Sequence, residues 1–93
     1  MKLVMAIIDD EFTNSVVKTL MTNKIRITKL STSGGFLSKG NTTLLLGVDD
    51  EKVDSTIELI RSKCKPKQVK NGNTEVTVGA NLFVLPIDKY VRI

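Results

Sequence analysis

The chain has 93 residues, enough for one small domain, and its 41% hydrophobic and 26% charged residues are ordinary for a globular protein. A net charge of +4 and a pI of about 9.4 favour anionic partners: nucleic acid, a phosphorylated small molecule or an acidic protein face. The absence of histidine removes the commonest general base and metal ligand, and a lone cysteine excludes both a Cys-His nucleophile pair and an intramolecular disulfide.

Residues 2–8, KLVMAII, form a continuous apolar run that ends in three acids. It is too short to span a bilayer and lacks a small-residue cleavage site, so it reads as a buried strand of a cytoplasmic protein without membrane insertion. From Glu11 to Asn23 the apolar residues Phe12, Val16 and Leu20, with Val17 and Met21 beside them, recur at helical spacing. Residues 25–30, IRITKL, begin as a strand alternation, with Ile25 and Ile27 on one face and Arg26 and Thr28 on the other. A loop over 31–40 follows, then a second buried strand over 42–48, TTLLLGV, in which Gly47 marks a place of close approach to the backbone. A second helix is predicted from about Glu51 to Cys64, with Val53, Ile57, Ile60 and Cys64 on one stripe, Cys64 acting as a small buried hydrophobe. Lys65-Pro66-Lys67 stops it. Asn71-Gly72 then predicts a hairpin within 68–78, and Leu82–Leu85 the last strand, closed by Pro86 before the tail DKYVRI. The acidic triplets 9–11 and 49–51 each precede a helix, where acids cap free N–H groups rather than bind metal.

The order β-α-β-β-α-β, with an extra hairpin before the last strand, predicts an α+β ferredoxin-like sandwich, a single domain over 1–93. Two helices cover one sheet face; the other face would be covered by oligomerisation.

The segment TKLSTSGGFLSKGNTT places Phe36, one of four aromatic residues in the chain, among Ser, Thr, Gly and Lys. Gly34-Gly35 allows a ligand close to the main chain, and adjacent N–H groups in such turns can cradle an anion. Arg26 and Lys39 add charge, Phe36 a stacking surface, and Asn41 both a donor and an acceptor. Together these describe a nucleotide site; singly, a Gly-Gly turn and a core-filling Phe36 account for them as well.

The stretch IRITKLSTSGGFLSKGNTTLLLGVDDEKVD resembles the PII-like cyclic di-AMP receptor family, whose members carry a similar R-x-TKL-x-T-x-GGFL-x-x-GNTT-x-x-x-GV segment. The likeness extends to MKLVMAIIDDE and VGANLFVLPIDKY. It implies a homotrimer that binds cyclic di-AMP between subunits, performs no catalysis, needs no cofactor or metal, and passes the signal to a protein partner that the sequence does not name. Carried over by position, Arg26, Ile27 and Thr28 would line the pocket, and Gly35, Phe36 and Leu37 would hold one adenine with Phe36 stacked on it. Asn41 and Gly47 would contact the base and its surroundings, and Phe83 would join from the last strand.

Two features depart from that pattern. The long loop usual after the second helix is reduced to PKQVKNGNTEV, and the tail YVRI places Arg92 where relatives carry a ligand-reaching glutamine. The other open reading is therefore a PII-like trimer that has lost cyclic di-AMP or senses ATP or ADP. A true PII sensor would need a long loop between the second and third strands, and an acylphosphatase-like enzyme a basic phosphate loop where IIDDEF stands. A nucleic-acid-binding sheet would need strand aromatics.

Overall fold

The computed structural model describes residues 1–30, 40–64, 67–71 and 74–93, with the backbone alone for 67–71 and 74–78. Six strands and two helices follow in the order β1 (Lys2–Asp9), α1 (Asp10–Thr22), β2 (Thr28–Leu30), β3 (Asn41–Val48), α2 (Val53–Lys63), β4 (Lys67–Asn71), β5 (Thr74–Val78) and β6 (Ala80–Pro86). Strands β2, β3, β1 and β6 form one antiparallel sheet in that spatial order. This α+β arrangement is compatible with the expected small ferredoxin-like fold. Strands β4 and β5 pair separately, Val69 opposite Val76, as the Asn-Gly signal predicted; the turn residues 72 and 73 lie outside the described residues.

Alternation along β1 and β3 sends Val4, Ala6, Ile8, Leu44, Leu46 and Val48 to the helix side, where all are buried. Phe12, Val16 and Leu20 of α1 and Ile60 of α2 close over them, with Cys64 at the helix end. Met21, grouped with the apolar stripe in the sequence, is instead 65% exposed, one position beyond the face that Leu20 buries.

Asp9 caps α1, its Oδ1 accepting from Glu11 N–H at 2.9 Å, and Asp10 Oδ1 accepts from the Thr42 hydroxyl at 2.7 Å, tying the helix start to β3. The second acidic triplet corrects the expectation. Asp49 makes no side-chain cap, residues 50–52 form a 3-10 turn before α2, and Asp50 pairs with the Met1 ammonium at 2.8 Å. That hydrogen bond holds the Asp50 carboxyl below its ordinary value.

The second strand is also shorter than IRITKL predicts. Lys24 sits in the left-handed region at φ 59°, and its N–H donates to Met21 C=O while Ile25 N–H donates to Leu20 C=O. A non-glycine residue there costs about 1–2 kcal/mol. The turn commits the chain to the end of α1 before it can pair with β3, so the ladder starts only at Thr28. Facial alternation survives without pairing: Ile25 and Ile27 pack on the core, and Arg26 and Thr28 are exposed.

Candidate functional site

The sheet face away from the helices holds the odd-numbered residues of β1, β3 and β6. Register aligns them in rows. Thr28, Leu45, Met5 and Phe83 make one row across the four strands; Leu30, Thr43, Ile7 and Asn81 make the next. Leu3, Met5, Ile7 and Leu45 are half-buried in the middle, while Phe83 at one edge is 52% exposed and Leu30 at the other 37%. The apolar row ends are therefore wet in the single chain.

Five of the candidate residues fall on this face, in three groups. Arg26, Thr28 and Gly47 lie toward one end of the β2–β3 edge: Gly47 is two residues beyond Leu45, the partner of Thr28, and Arg26 is two residues before Thr28. Arg26 and Gly47 line one groove of about 980 Å³, which continues between Lys24, Lys52, Ser55 and Leu59. Asn41 starts β3, opposite Asp9, six residues from Gly47. At about 3.3 Å per residue that is about 20 Å, farther than a single base reaches. Phe83 lies across the sheet from Thr28, three strand steps or about 14 Å away. Ile27 packs on the core, Arg92 is exposed in the tail, and Gly35, Phe36 and Leu37 lie outside the described residues.

Gly47 is open. Among the described residues a Cβ built there meets only Met1 Cε, at 3.9 Å, and its φ is outside the left-handed region. Among the described residues, folding of the chain does not demand glycine at 47.

Sequence reasoning overlooked the α2 wall of the groove. Lys52, Ser55, Leu59 and Ser62 follow helical spacing and could have been read as a second, mostly polar stripe beside the apolar one. Lys24 was also missed, since only the backbone turn aims it at the groove mouth. Three cationic side chains, Lys24, Arg26 and Lys52, line the groove against two acids, Asp49 and Glu58, a balance that suits an anionic ligand. Among the described residues no cluster of Cys, Asp or Glu is placed to hold a metal ion, and no helix is long and apolar enough to cross a membrane.

A family model described as cyclic-di-AMP receptor matches residues 1–73. The chain belongs to the cyclic-di-AMP receptor family. The family is one of binding proteins, and the match spans β1 through β4 and stops before β5, including Arg26, Thr28, the Gly-Gly-Phe segment, Asn41 and Gly47. Phe83 and Arg92 lie beyond it. A crystal structure titled as that of a functionally unknown protein from Pediococcus pentosaceus ATCC 25745 is similar over nearly the whole molecule. Its TM-score is 0.75 at 37% identity, covering 99% of this chain and 96% of that one.

Proposed function

We propose that the protein is a non-enzymatic, PII-like receptor, a single domain over 1–93, which binds cyclic di-AMP at the subunit interfaces of a homotrimer and relays its presence to another protein. One observation carries this reading: among the described candidate residues, Thr28 and Gly47 lie toward one edge of the sheet face away from the helices and Phe83 lies on the other edge. Thr28 and Gly47 at one edge and Phe83 at the other cannot close on one adenine within a chain, because about 14 Å of sheet separates the edges. A neighbouring copy supplies the missing half. Phe36 stacks on one adenine, Gly35 and Leu37 frame it, Ile27 supports the pocket from below, and Arg26 meets a phosphate. Asn41 reads the adenine edge at the far end of β3, and Arg92 approaches from the tail. No cofactor, metal or nucleic acid takes part, and the site is cytoplasmic.

A second reading has an observation of its own. The family match stops at residue 73, and the tail carries Arg92 where the resemblance implies a glutamine. An arginine favours an extra phosphate, so a trimer tuned to ATP or ADP, or one that has lost cyclic di-AMP, is the alternative.

Calorimetry with cyclic di-AMP, cyclic di-GMP and ATP separates these. The expected result is one cyclic di-AMP per subunit and much weaker cyclic di-GMP, whose guanine leaves buried donors and acceptors unpaired at about 1–3 kcal/mol each. Tighter binding of ATP, or no binding of either cyclic dinucleotide, favours the alternative. Light scattering that returns a mass of about 10 kDa would sink the shared pocket.

A further inference from the structure

Strands β2 and β3 part where the groove opens. Asp10 N–H donates to Gly40 C=O at 2.8 Å, so even-numbered residues of β3 bond to β1 and odd-numbered ones turn their backbone groups toward β2. In register, Gly47 falls opposite Arg26, two residues beyond the pair of Thr28 and Leu45. The ladder stops at Thr28, because Ile25 N–H donates to Leu20 C=O and draws the chain back to α1. Among the described residues the Gly47 N–H therefore has no strand partner, and it opens on the groove that Arg26 and Gly47 share.

The side chains around this gap carry more positive charge than one end of a cyclic dinucleotide meets. Lys24 and Arg26 come from the segment after α1, and Lys52 from the start of α2 across the groove. Of the two acids, Glu58 is held by Arg61 Nη1 at 2.7 Å, which leaves Asp49 against the three cations among the described residues. The phosphodiesters of a cyclic dinucleotide lie on opposite sides of its ring with a single charge each, whereas a terminal phosphate alone carries about 1.5–2. Lys24 adds an observation of a different kind. It holds φ 59°, where glycine or asparagine sits at less cost, so this lysine stands against the preference of its backbone. The hydroxyls of the α2 wall supply no donors: Ser55 donates to Lys52 C=O at 3.0 Å and Ser62 to Leu59 C=O at 2.7 Å. The anion-binding groups are thus gathered at one end, around Lys24, Arg26, Lys52 and the Gly47 N–H. We propose that this end of the groove binds a linear oligophosphate, of the kind a nucleoside di- or triphosphate carries, and that its occupant excludes cyclic di-AMP because both require Arg26. This rests on the placing of Arg26 and Gly47 in the nucleotide site above and adds a competing ligand to it.

Titration of the full chain by NMR and calorimetry, free of divalent cations and at constant ionic strength, tests this with sodium tripolyphosphate, ATP, adenosine and sulfate. Tripolyphosphate and ATP are each expected to shift the amides of Lys24, Arg26, Gly47 and Lys52 and to raise the apparent Kd of cyclic di-AMP in step with their concentration. Adenosine and sulfate are expected to do neither. ATP binding more tightly than tripolyphosphate assigns the site to a nucleotide; equal affinity assigns it to the free chain. Lys52→Gln, and Lys24→Asn, which keeps the left-handed turn, should each weaken tripolyphosphate about ten-fold or more, the worth of one hydrogen bond to a charged group. Native affinity in both variants, a sulfate response equal to that of tripolyphosphate, or cyclic di-AMP binding unmoved by saturating tripolyphosphate overturns the proposal and spares the receptor reading. Tripolyphosphate bound at these residues in a protein that ignores cyclic di-AMP does the reverse.

Discussion

Gly47→Ala separates a glycine kept for the fold from one kept for a ligand. Among the described residues the new methyl meets nothing closer than Met1 Cε at 3.9 Å, an ordinary contact, and the backbone there suits any L-residue. Strand glycine costs about 0.5–1 kcal/mol relative to alanine, mostly through the freedom of the unfolded chain, so folding should gain about that much. For a domain of this size the gain raises Tm by about 2–8 °C. Binding moves the other way. Gly47 is exposed and shares a groove with Arg26, so a methyl there takes space that the proposed site assigns to the ligand. Crowding a fitted contact by one carbon costs about 1–3 kcal/mol, which weakens affinity about 5- to 140-fold. Thermal unfolding without ligand and calorimetry with cyclic di-AMP, run on the same preparation, read the two effects separately. A higher Tm with unchanged affinity would show that Gly47 is only a weak point in β3. A lower Tm would show that another backbone already packs against it.

Further outcomes follow from the same geometry. Phe36→Ala and Phe83→Ala should each weaken cyclic di-AMP by about 1–3 kcal/mol, the worth of a base–aromatic stack, in calorimetry; full affinity in both would remove stacking from the mechanism. Ile60→Ala empties a fully packed position between α2 and the sheet and should cost about 2–5 kcal/mol in urea unfolding, far more than Arg61→Ala, which removes only a surface pair with Glu58 at 2.7 Å. Burial pushes the Cys64 thiol above its ordinary value, with the charge of Asp9 adding to the shift. The folded state therefore holds the proton more tightly than the unfolded chain. The corresponding stability is fully present below the ordinary thiol value of about 8.5 and is lost as pH rises through the higher folded value. Urea midpoints that rise between pH 8 and 10 in the native chain relative to Cys64→Ala would contradict this, as would rapid reaction of the native thiol with a disulfide reagent at pH 7.5.

Much of the architecture was legible in local pattern. The apolar runs at 2–8 and 42–48 are the two central strands, and the helical spacing of Phe12, Val16 and Leu20 names the buried face of α1. Cys64 is buried, as its place on the second stripe implied, and Asn71-Gly72 marks the β4–β5 hairpin. These succeed because periodicity and turn chemistry depend on neighbours a few residues apart.

What the tertiary structure decided depends on residues far apart in the chain. Alternation at 25–28 gave the right faces, but whether Ile25–Ile27 also pair with β3 turned on Lys24, whose left-handed turn binds that stretch to the end of α1. The acids at 49–51 were indistinguishable by sequence; only the closeness of Met1 selects Asp50 as the one that is paired. The same holds for the site. Its motif names Arg26, Thr28 and Gly47, but no spacing along the chain tells that Phe83 lies in the row of Thr28 and on the opposite edge. Strand order and register set that, and both arise from pairing between segments tens of residues apart, whose relative position no short-range pattern encodes.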